Sequence, residues 1–491
     1  MVDRFVFGLI LLHNMWQIWF KHVGTRLFKT FLIVISDFCK FRVVLTRTFL
    51  FLVEAFRILR WKCMQILVKS YGCSTNHADG SALAGCLLQA GYKLVDSVED
   101  ADVVIYNTCA VKGPTESRVI DACKRLGRDK KLIVAGCLPL VNFERLQQDV
   151  QFDAVVGPAA GEQIVEIVRR VSNGDRVLAL QGALESKPRL SLPRIQASPV
   201  VSVIPICYGC LGSCSYCCVV FARGRLRSYS VQEVVDRVRE DVKRGFREFW
   251  LTAQDTGCYG RDNGTNLARL LEAVCGVEGD FKIRVGMMTP NMVKDILHEL
   301  VEVFKSEKVF KFLHLPVQSG NDDVLRQMRR FYSVEDFRNI VGEVRKNFPI
   351  LSLATDVICG LPGEDEHAFQ DTLSLIKEVK PDIVNVSKFY ARPKTSAAKM
   401  KHAVSLEEAK RRSTIAATLA EKIVFDKNKK WLGWKGKTLV DEIGKVSGSL
   451  VGRNPAYRPI VIKGTSHLLG KTINVKVVKA FPTYLAGEIL E

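Results

Sequence analysis

The chain has 491 residues, 47% of them hydrophobic and 25% charged, which excludes a disordered polyelectrolyte and allows two to four packed domains. A formal net charge of +19 favours a polyanionic partner such as RNA, a trait shared with ribosome-associated and membrane-surface proteins. Fifteen cysteines in so long a chain, without a convincing signal peptide, read as metal ligands or buried apolar residues rather than a disulfide framework.

Residues 1–63 differ from the rest. Phe5 to Phe20 is aromatic-rich and free of Asp, Glu, Lys and Arg, but His13, Asn14 and Gln17 interrupt it. Leu27–Ser36 is broken by Lys29, and Val43–Ile58 by Arg47, Glu54 and Arg57. None reaches the roughly 20 apolar residues of a spanning helix. Met64 is followed at once by a strand-like run. Translation is therefore expected to start there, with 1–63 a hydrophobic and basic extension that is not native structure; a peripheral membrane anchor is the alternative.

Residues 64–175 alternate strand-like and helix-like stretches. Ile66–Ser70, Val103–Asn107 and Leu132–Ala135 are short β-rich runs, and Gly80–Ala90 is helix-like. Such alternation predicts a parallel sheet with helices on its faces. A cysteine follows each run: Tyr-Gly-Cys73, Asn-Thr-Cys109 and Ala-Gly-Cys137. Parallel strands end on one edge, where open α/β sheets bind ligands, so these three thiols should converge. The plainer reading is three small buried cysteines.

Residues 176–200, with Lys187, Pro188, Pro193 and Pro199, read as a linker. A second alternating region spans 201–428, with β-like runs at Val201–Ile206, Glu248–Thr252, Lys282–Met287, Val309–Leu315, Leu351–Val357 and Ile383–Phe389. Val231–Arg244 and Val334–Lys346 are helical in pattern. Six β/α units suit a partial barrel, with its site at the C-terminal strand ends. Polar residues collect there: Gln254, Asp255, Thr289, Asn291, His314, Gln318, Asp356, Lys388 and Tyr390. Residues 429–491 carry eleven Lys/Arg against four Asp/Glu, with short β-like runs and frequent glycines, as in a small basic β-barrel that grips nucleic acid.

Cys210-Leu-Gly-Ser-Cys214-Ser-Tyr-Cys217 sets three thiols at C-x3-C-x2-C spacing just after the first barrel strand. Three thiolates leave one iron of a 4Fe–4S cluster open to a substrate. A zinc site completed by Cys207 or Cys218 is the competing reading.

The triplet, with Tyr216 before its last cysteine, resembles the signature of radical S-adenosylmethionine enzymes. Tyr71-Gly-Cys73-Ser-Thr-Asn76-His-Ala-Asp79 resembles the opening motif of the methylthiotransferases. Leu251-Thr-Ala-Gln-Asp-Thr-Gly257, His314-Leu-Pro-Val-Gln-Ser-Gly320, Asp356-Val-Ile-Cys-Gly-Leu-Pro-Gly-Glu364 and Phe389-Tyr-Ala-Arg-Pro393 fit the same family. Gly452-Arg-Asn-Pro-Ala-Tyr-Arg458 looks like the signature of a TRAM domain, an RNA-binding β-barrel. Gly209 to Cys217 followed by Phe221-Ala-Arg-Gly224 is similar to the archaeal and eukaryotic branch, which methylthiolates N6-threonylcarbamoyladenosine in transfer RNA.

That resemblance implies an α/β chain in three parts: a parallel α/β methylthiotransferase domain, a partial (β/α)6 radical core and a small β-barrel. It implies two 4Fe–4S clusters, on Cys73, Cys109 and Cys137 and on Cys210, Cys214 and Cys217. S-adenosylmethionine would serve as radical source and methyl donor. Tyr216, Gln254, Gln318 and Asp356 would bind the cofactor or shape its site, while Cys207 and Cys218 would be packing residues. Arg453, Tyr457, Arg458 and Lys463 would contact RNA. The expected partners are transfer RNA at adenosine 37, an unidentified electron donor and a sulfur source, in the cytoplasm and with no obligate membrane partner. Alternatives keep the chemistry on isopentenyladenosine in transfer RNA or on a ribosomal-protein aspartate, or make the chain a non-catalytic metal-containing RNA-binding protein.

Overall fold

Each β-rich run of the first region is followed by a helix-forming stretch, and the chain folds there as a layered α/β sheet. The computed structural model describes residues 64–491 apart from Lys112, Arg128 and Glu491. The expectations for residues 1–63 lie outside the described residues. Strands β1 (Gln65–Ser70), β2 (Lys93–Leu94), β3 (Val103–Thr108), β4 (Lys131–Gly136), β5 (Ala154–Val156) and β6 (Val177–Ala179) form one sheet in the order β2-β1-β3-β4-β5-β6. Every pairing in it is parallel. Strand β3 is buried along its whole length, as a central strand covered on both faces must be. Strand β6 falls within the stretch read as a linker, so the first sheet extends into that segment. The helix after β1 spans Ser74–Gln89, six residues earlier than its pattern predicted, with Cys73 as its N-cap residue.

The second region gives two three-stranded parallel sheets. Strands β7 (Val201–Pro205), β10 (Glu248–Thr252) and β11 (Lys282–Val285) are ordered β11-β10-β7. Strands β12 (Phe312–His314), β13 (Ser352–Cys359) and β14 (Ile383–Lys388) are ordered β12-β13-β14. A parallel bridge between Ile283 and Val309 joins the two into a six-stranded half-barrel. Between β7 and β10 lie two short strands, β8 (Cys207–Tyr208) and β9 (Arg227–Ser228), which pair antiparallel across the second cysteine loop. The helices Val231–Lys243 and Val334–Asn347 both begin with a Ser capping box, in which Ser230 and Ser333 satisfy orphan backbone N–H groups. Their apolar faces join one continuous core with the strands, including Phe249, Phe281, Phe337 and Phe369.

After the helix Leu406–Lys429, strands β15 (Lys435–Ile443), β16 (Ser449–Arg453), β17 (Pro459–Lys463), β18 (Thr472–Ala480) and β19 (Leu485–Ile489) close a barrel in the order β15-β16-β17-β19-β18. Register shifts at Val440/Glu442 and Val477/Lys479 supply the bends that closure needs. Seven aliphatic side chains, among them Val440, Ile460 and Val475, fill its interior.

Candidate active site

The cysteine loops are built on positions only glycine tolerates. Gly136, the last residue of β4 and next to Cys137, has φ of +94°, and a Cβ there would collide with the Thr108 carbonyl oxygen. Gly209, before Cys210, has φ of +73°, and its Cβ would collide with the Arg225 carbonyl oxygen. The first loop set is tied by Asn107, whose Nδ2 donates to the Asn76 carbonyl oxygen at 2.6 Å, while Asn76 Nδ2 donates to Asn107 Oδ1 at 2.9 Å. Thr108 Oγ1 donates to the Ala135 carbonyl at 2.6 Å and accepts from Leu138 N–H at 3.2 Å. These bonds lock the ends of β3 and β4, and with them Cys109 and Cys137. The second loop is pinned by Ser215, whose N–H donates to Met328 O at 3.0 Å and whose carbonyl accepts from Ala397 N–H at 2.8 Å. Gly212 N–H donates to Cys210 Sγ at 3.2 Å.

All six cysteines border one cavity of about 400 Å³ between the first sheet's edge and the half-barrel's mouth. Tyr216, Gln254, Gln318 and Asp356 line the same cavity, so it brings together ten of the fourteen residues singled out by sequence. Burial raises the thiol pKa of Cys214 and Cys217 and pushes Cys137 up to about 12, and a hydrogen bond from Cys258 together with burial raises Cys210. Loading a metal on such thiols must displace protons. Cys207 and Cys218 are buried, the latter with its thiol against Ala110 O at 3.4 Å.

The wall is rich in polar atoms without a protein partner. Both amide atoms of Gln254 are buried and unpaired, as are Arg223 Nη1, Arg330 Nε and Asn76 Oδ1, and all five belong to cavity-lining residues. Leaving such groups unmade costs about 1–3 kcal/mol each, a cost that a polar occupant would offset. Among the described residues no three His, Cys, Asp or Glu side chains gather around a single-ion site. A four-iron cluster takes each thiolate on a separate iron, so two spread triplets of thiols fit that group. Asp356 Oδ1 accepts from Asn385 Nδ2 at 2.7 Å and lies 3.0 Å from His314 Nε2, which fixes the carboxylate's orientation. Asp255 is buried and accepts N–H bonds from Gly257 and Thr289.

Two buried ion pairs hold the first sheet's layer onto the half-barrel beside this cavity. Arg223 Nη2 donates to Asp79 at 2.6 Å, and Tyr208 donates to the other oxygen of Asp79. Glu116 is paired with Arg392 and with Arg145, the latter at 2.8 Å. Sequence reasoning missed these as site-forming residues. The available signal was a charge set in an apolar context, as in Phe221-Ala-Arg223-Gly224.

Of the four residues expected to contact RNA, three are engaged by other side chains of this chain. Arg458 is 4% exposed, and its guanidinium is paired with Asp382. Arg453 Nε donates to Asp441 at 2.9 Å, and Tyr457 O–H donates to Glu248 at 3.1 Å. Tyr457 also packs on Phe310 and Phe312, with ring centroids 4.8 and 5.2 Å away. Tyr457 and Arg458 are consumed in docking the β-barrel onto the half-barrel, through Glu248, Phe310, Phe312 and Asp382, while Arg453 is held within the barrel by Asp441 and Glu442. Lys463, at the end of β17, is exposed.

A six-stranded parallel half-barrel with a cysteine triplet on its first strand's exit loop defines the class as radical S-adenosylmethionine enzymes. Residues 204–376 match the radical SAM superfamily, residues 65–157 the uncharacterized protein family UPF0004, and residues 438–490 the TRAM domain. The chain is 41% identical to the probable threonylcarbamoyladenosine tRNA methylthiotransferase of Pyrococcus horikoshii, over 87% of this chain and 100% of that one. It is 34% identical to the human threonylcarbamoyladenosine tRNA methylthiotransferase, over 86% of this chain and 74% of that one. The chain belongs to the threonylcarbamoyladenosine tRNA methylthiotransferase family. The radical S-adenosylmethionine methyltransferase TsrM from Kitasatospora setae shares the fold, with a TM-score of 0.52 at 14% identity over 68% of this chain and 77% of that one.

Proposed function

We propose that this chain methylthiolates C2 of the adenine in N6-threonylcarbamoyladenosine at position 37 of transfer RNA. It would do so with two 4Fe–4S clusters, and with S-adenosylmethionine as both radical source and methyl donor. One observation carries the reading: two separate cysteine triplets border a single cavity whose wall holds unpaired polar atoms. The substrate is inferred from the names of relatives that align with the described chain nearly end to end.

When bound, the clusters and S-adenosylmethionine supply the radical and the sulfur that an unreactive aromatic C–H bond requires. The chain holds and orients. Cys210, Cys214 and Cys217 would carry one cluster, and Cys73, Cys109 and Cys137 the other. The unpaired Gln254 amide offers one donor and one acceptor to the cofactor or to the base. Asp356, steered by Asn385 and His314, offers a carboxylate to a hydroxyl or an amino group. Gln318 adopts φ of +69° and bonds through its backbone to Asp356 and Ile358, which keeps its side chain at the wall. The Asp79–Arg223 and Glu116–Arg392 pairs keep the two triplets on one cavity while bulky substrate enters. Electrons and sulfur must come from outside the chain. A cytoplasmic site follows from the same reading; among the described residues no helix is long and apolar enough to cross a membrane.

The test is mass spectrometry of transfer RNA nucleosides from cells lacking the gene, complemented with the intact chain or with Cys210→Ala. A 2-methylthio form of threonylcarbamoyladenosine should appear with the intact chain alone. Its absence from both, with iron loaded, would overturn the substrate and move the search to isopentenyladenosine or a ribosomal-protein aspartate.

A further inference from the structure

Among the described residues two aromatic rings are strongly exposed, Phe331 at 72% and Tyr390 at 47%. Isolated exposed apolar side chains are ordinary, but Phe331 is not isolated. It lines the cavity with Leu211, 39% exposed, and Val111, 45% exposed. These three come from different parts of the fold: the turn after the helix Asp322–Gln327, the second cysteine loop, and the loop after Cys109. Tyr390 packs on Gly113, two residues beyond Val111.

The turn that carries Phe331 is unusual. Arg329 stands in the left-handed region, with φ of +54°, where a helix C-terminus ordinarily uses glycine. Arg330 N–H returns to Leu325 O at 2.9 Å and closes the turn. One result is that Arg330 is turned inward, its guanidinium 5.9 Å from the Tyr216 ring, while Phe331 is turned out. The other is that Arg329 stays exposed and forms no salt bridge with any described residue. Backbone strain of this kind persists where the surroundings require the shape it produces. Here the shape is an exposed aromatic ring and an exposed cation two residues apart, both lining the cavity.

We propose that Phe331 stacks on the nucleobase adjoining the target adenosine, with Arg329 taking a neighbouring phosphate. The inference rests on the RNA reading above and deepens it. An enzyme that works on a base inside a loop must draw that base out of its stack, which leaves the neighbour without a partner. Single-stranded RNA is held by aromatic stacking and by cations on its backbone, and the lip offers both. Leu211 and Val111 would line the path of the extracted base. The buried aromatic and basic residues of the β-barrel cannot serve this purpose, since their partners lie within the chain.

The test uses the cluster-loaded full chain and a synthetic anticodon stem-loop RNA carrying N6-threonylcarbamoyladenosine. 2-Aminopurine is placed on its 5′ or its 3′ side, and fluorescence titrations are run with wild type, Phe331→Ala and Phe331→Trp. Wild type should quench one of the two probes. Phe331→Ala should lose that quenching and bind about tenfold more weakly, and Phe331→Trp should keep both. Phe331→Ala binding as tightly as wild type, with quenching intact, would overturn the inference and leave the proposed reaction standing. A wild-type chain that fails to bind this RNA would overturn both.

Discussion

The cavity edge and the C-terminal β-barrel use charged and polar residues in opposite ways. At the cavity, five buried polar atoms of Gln254, Arg223, Arg330 and Asn76 lack partners, and six thiols face a shared space. In the barrel, Arg453, Tyr457 and Arg458 all find partners inside the chain. The barrel joint also keeps unpartnered buried atoms, among them Arg458 Nε, Asp441 Oδ1 and Glu248 Oε2, so what sets the cavity apart is the open space that its residues line. The same residue types therefore carry different meanings, decided by whether a facing surface reaches them.

Breaking the cavity side should have the largest effect. Cys210→Ala is expected to abolish the methylthio product and to lower bound iron from about eight to about four per chain, read by iron analysis and nucleoside mass spectrometry. Cys109→Ala should lower iron equally yet retain reductive cleavage of S-adenosylmethionine. Equal loss of cleavage in both variants would contradict our assignment of that cleavage to the cluster on Cys210, Cys214 and Cys217 and of sulfur presentation to the other.

Breaking the barrel side should damage stability rather than cluster loading. Arg458→Ala leaves buried Asp382 with Lys427, 2.6 Å away, as its remaining cation, so the cost should fall below the roughly 3–5 kcal/mol of an uncompensated buried charge. Denaturant unfolding should show this loss while iron content stays unchanged.

A sharper probe of the joint is Glu248, fully buried between Trp250, Tyr457 and the Asp441–Arg453 pair. Burial, with the nearby Asp441 charge, raises its pKa from 4.5 to about 7. The folded state thus holds a proton that the unfolded state releases, so stability falls as pH rises from 4.5 to about 7 and levels off above. The loss should be on the order of 3 kcal/mol. Glu248→Gln should flatten that slope in urea titrations across this range; an unchanged slope would assign it elsewhere.

The smallest effect is expected at Lys463. Lys463→Glu should leave the fold intact and weaken transfer RNA binding a few-fold, reducing the salt slope by about one unit. An unchanged slope would mean that this lysine faces no phosphate.

Much of the fold was readable because its signals are local. Glu248–Thr252 coincides with its predicted run, and the helices from Val231 and Val334 start where their patterns begin, each just after a serine cap. Strand β6 was passed over because three residues in a proline-bearing stretch carry no periodicity, and β19, Leu485–Ile489, because Ala and Gly dilute its pattern. The six cysteines were legible for the same local reason, since Cys73, Cys109 and Cys137 each follow a β-rich run and Cys210, Cys214 and Cys217 share one short segment.

The sequence by itself determined the order of the three domains, the strand ends and the thiols placed on them, since these follow from short-range periodicity and from glycines, which alone tolerate the left-handed turns before Cys137 and Cys210. Only the tertiary structure decided that both triplets open on one cavity, that Gln254 is left unpaired, and that Arg453, Tyr457 and Arg458 face inward. Those outcomes depend on which surface arrives opposite a side chain, and a buried charge is indifferent to sequence distance: Asp79 and Arg223 pair across 144 residues.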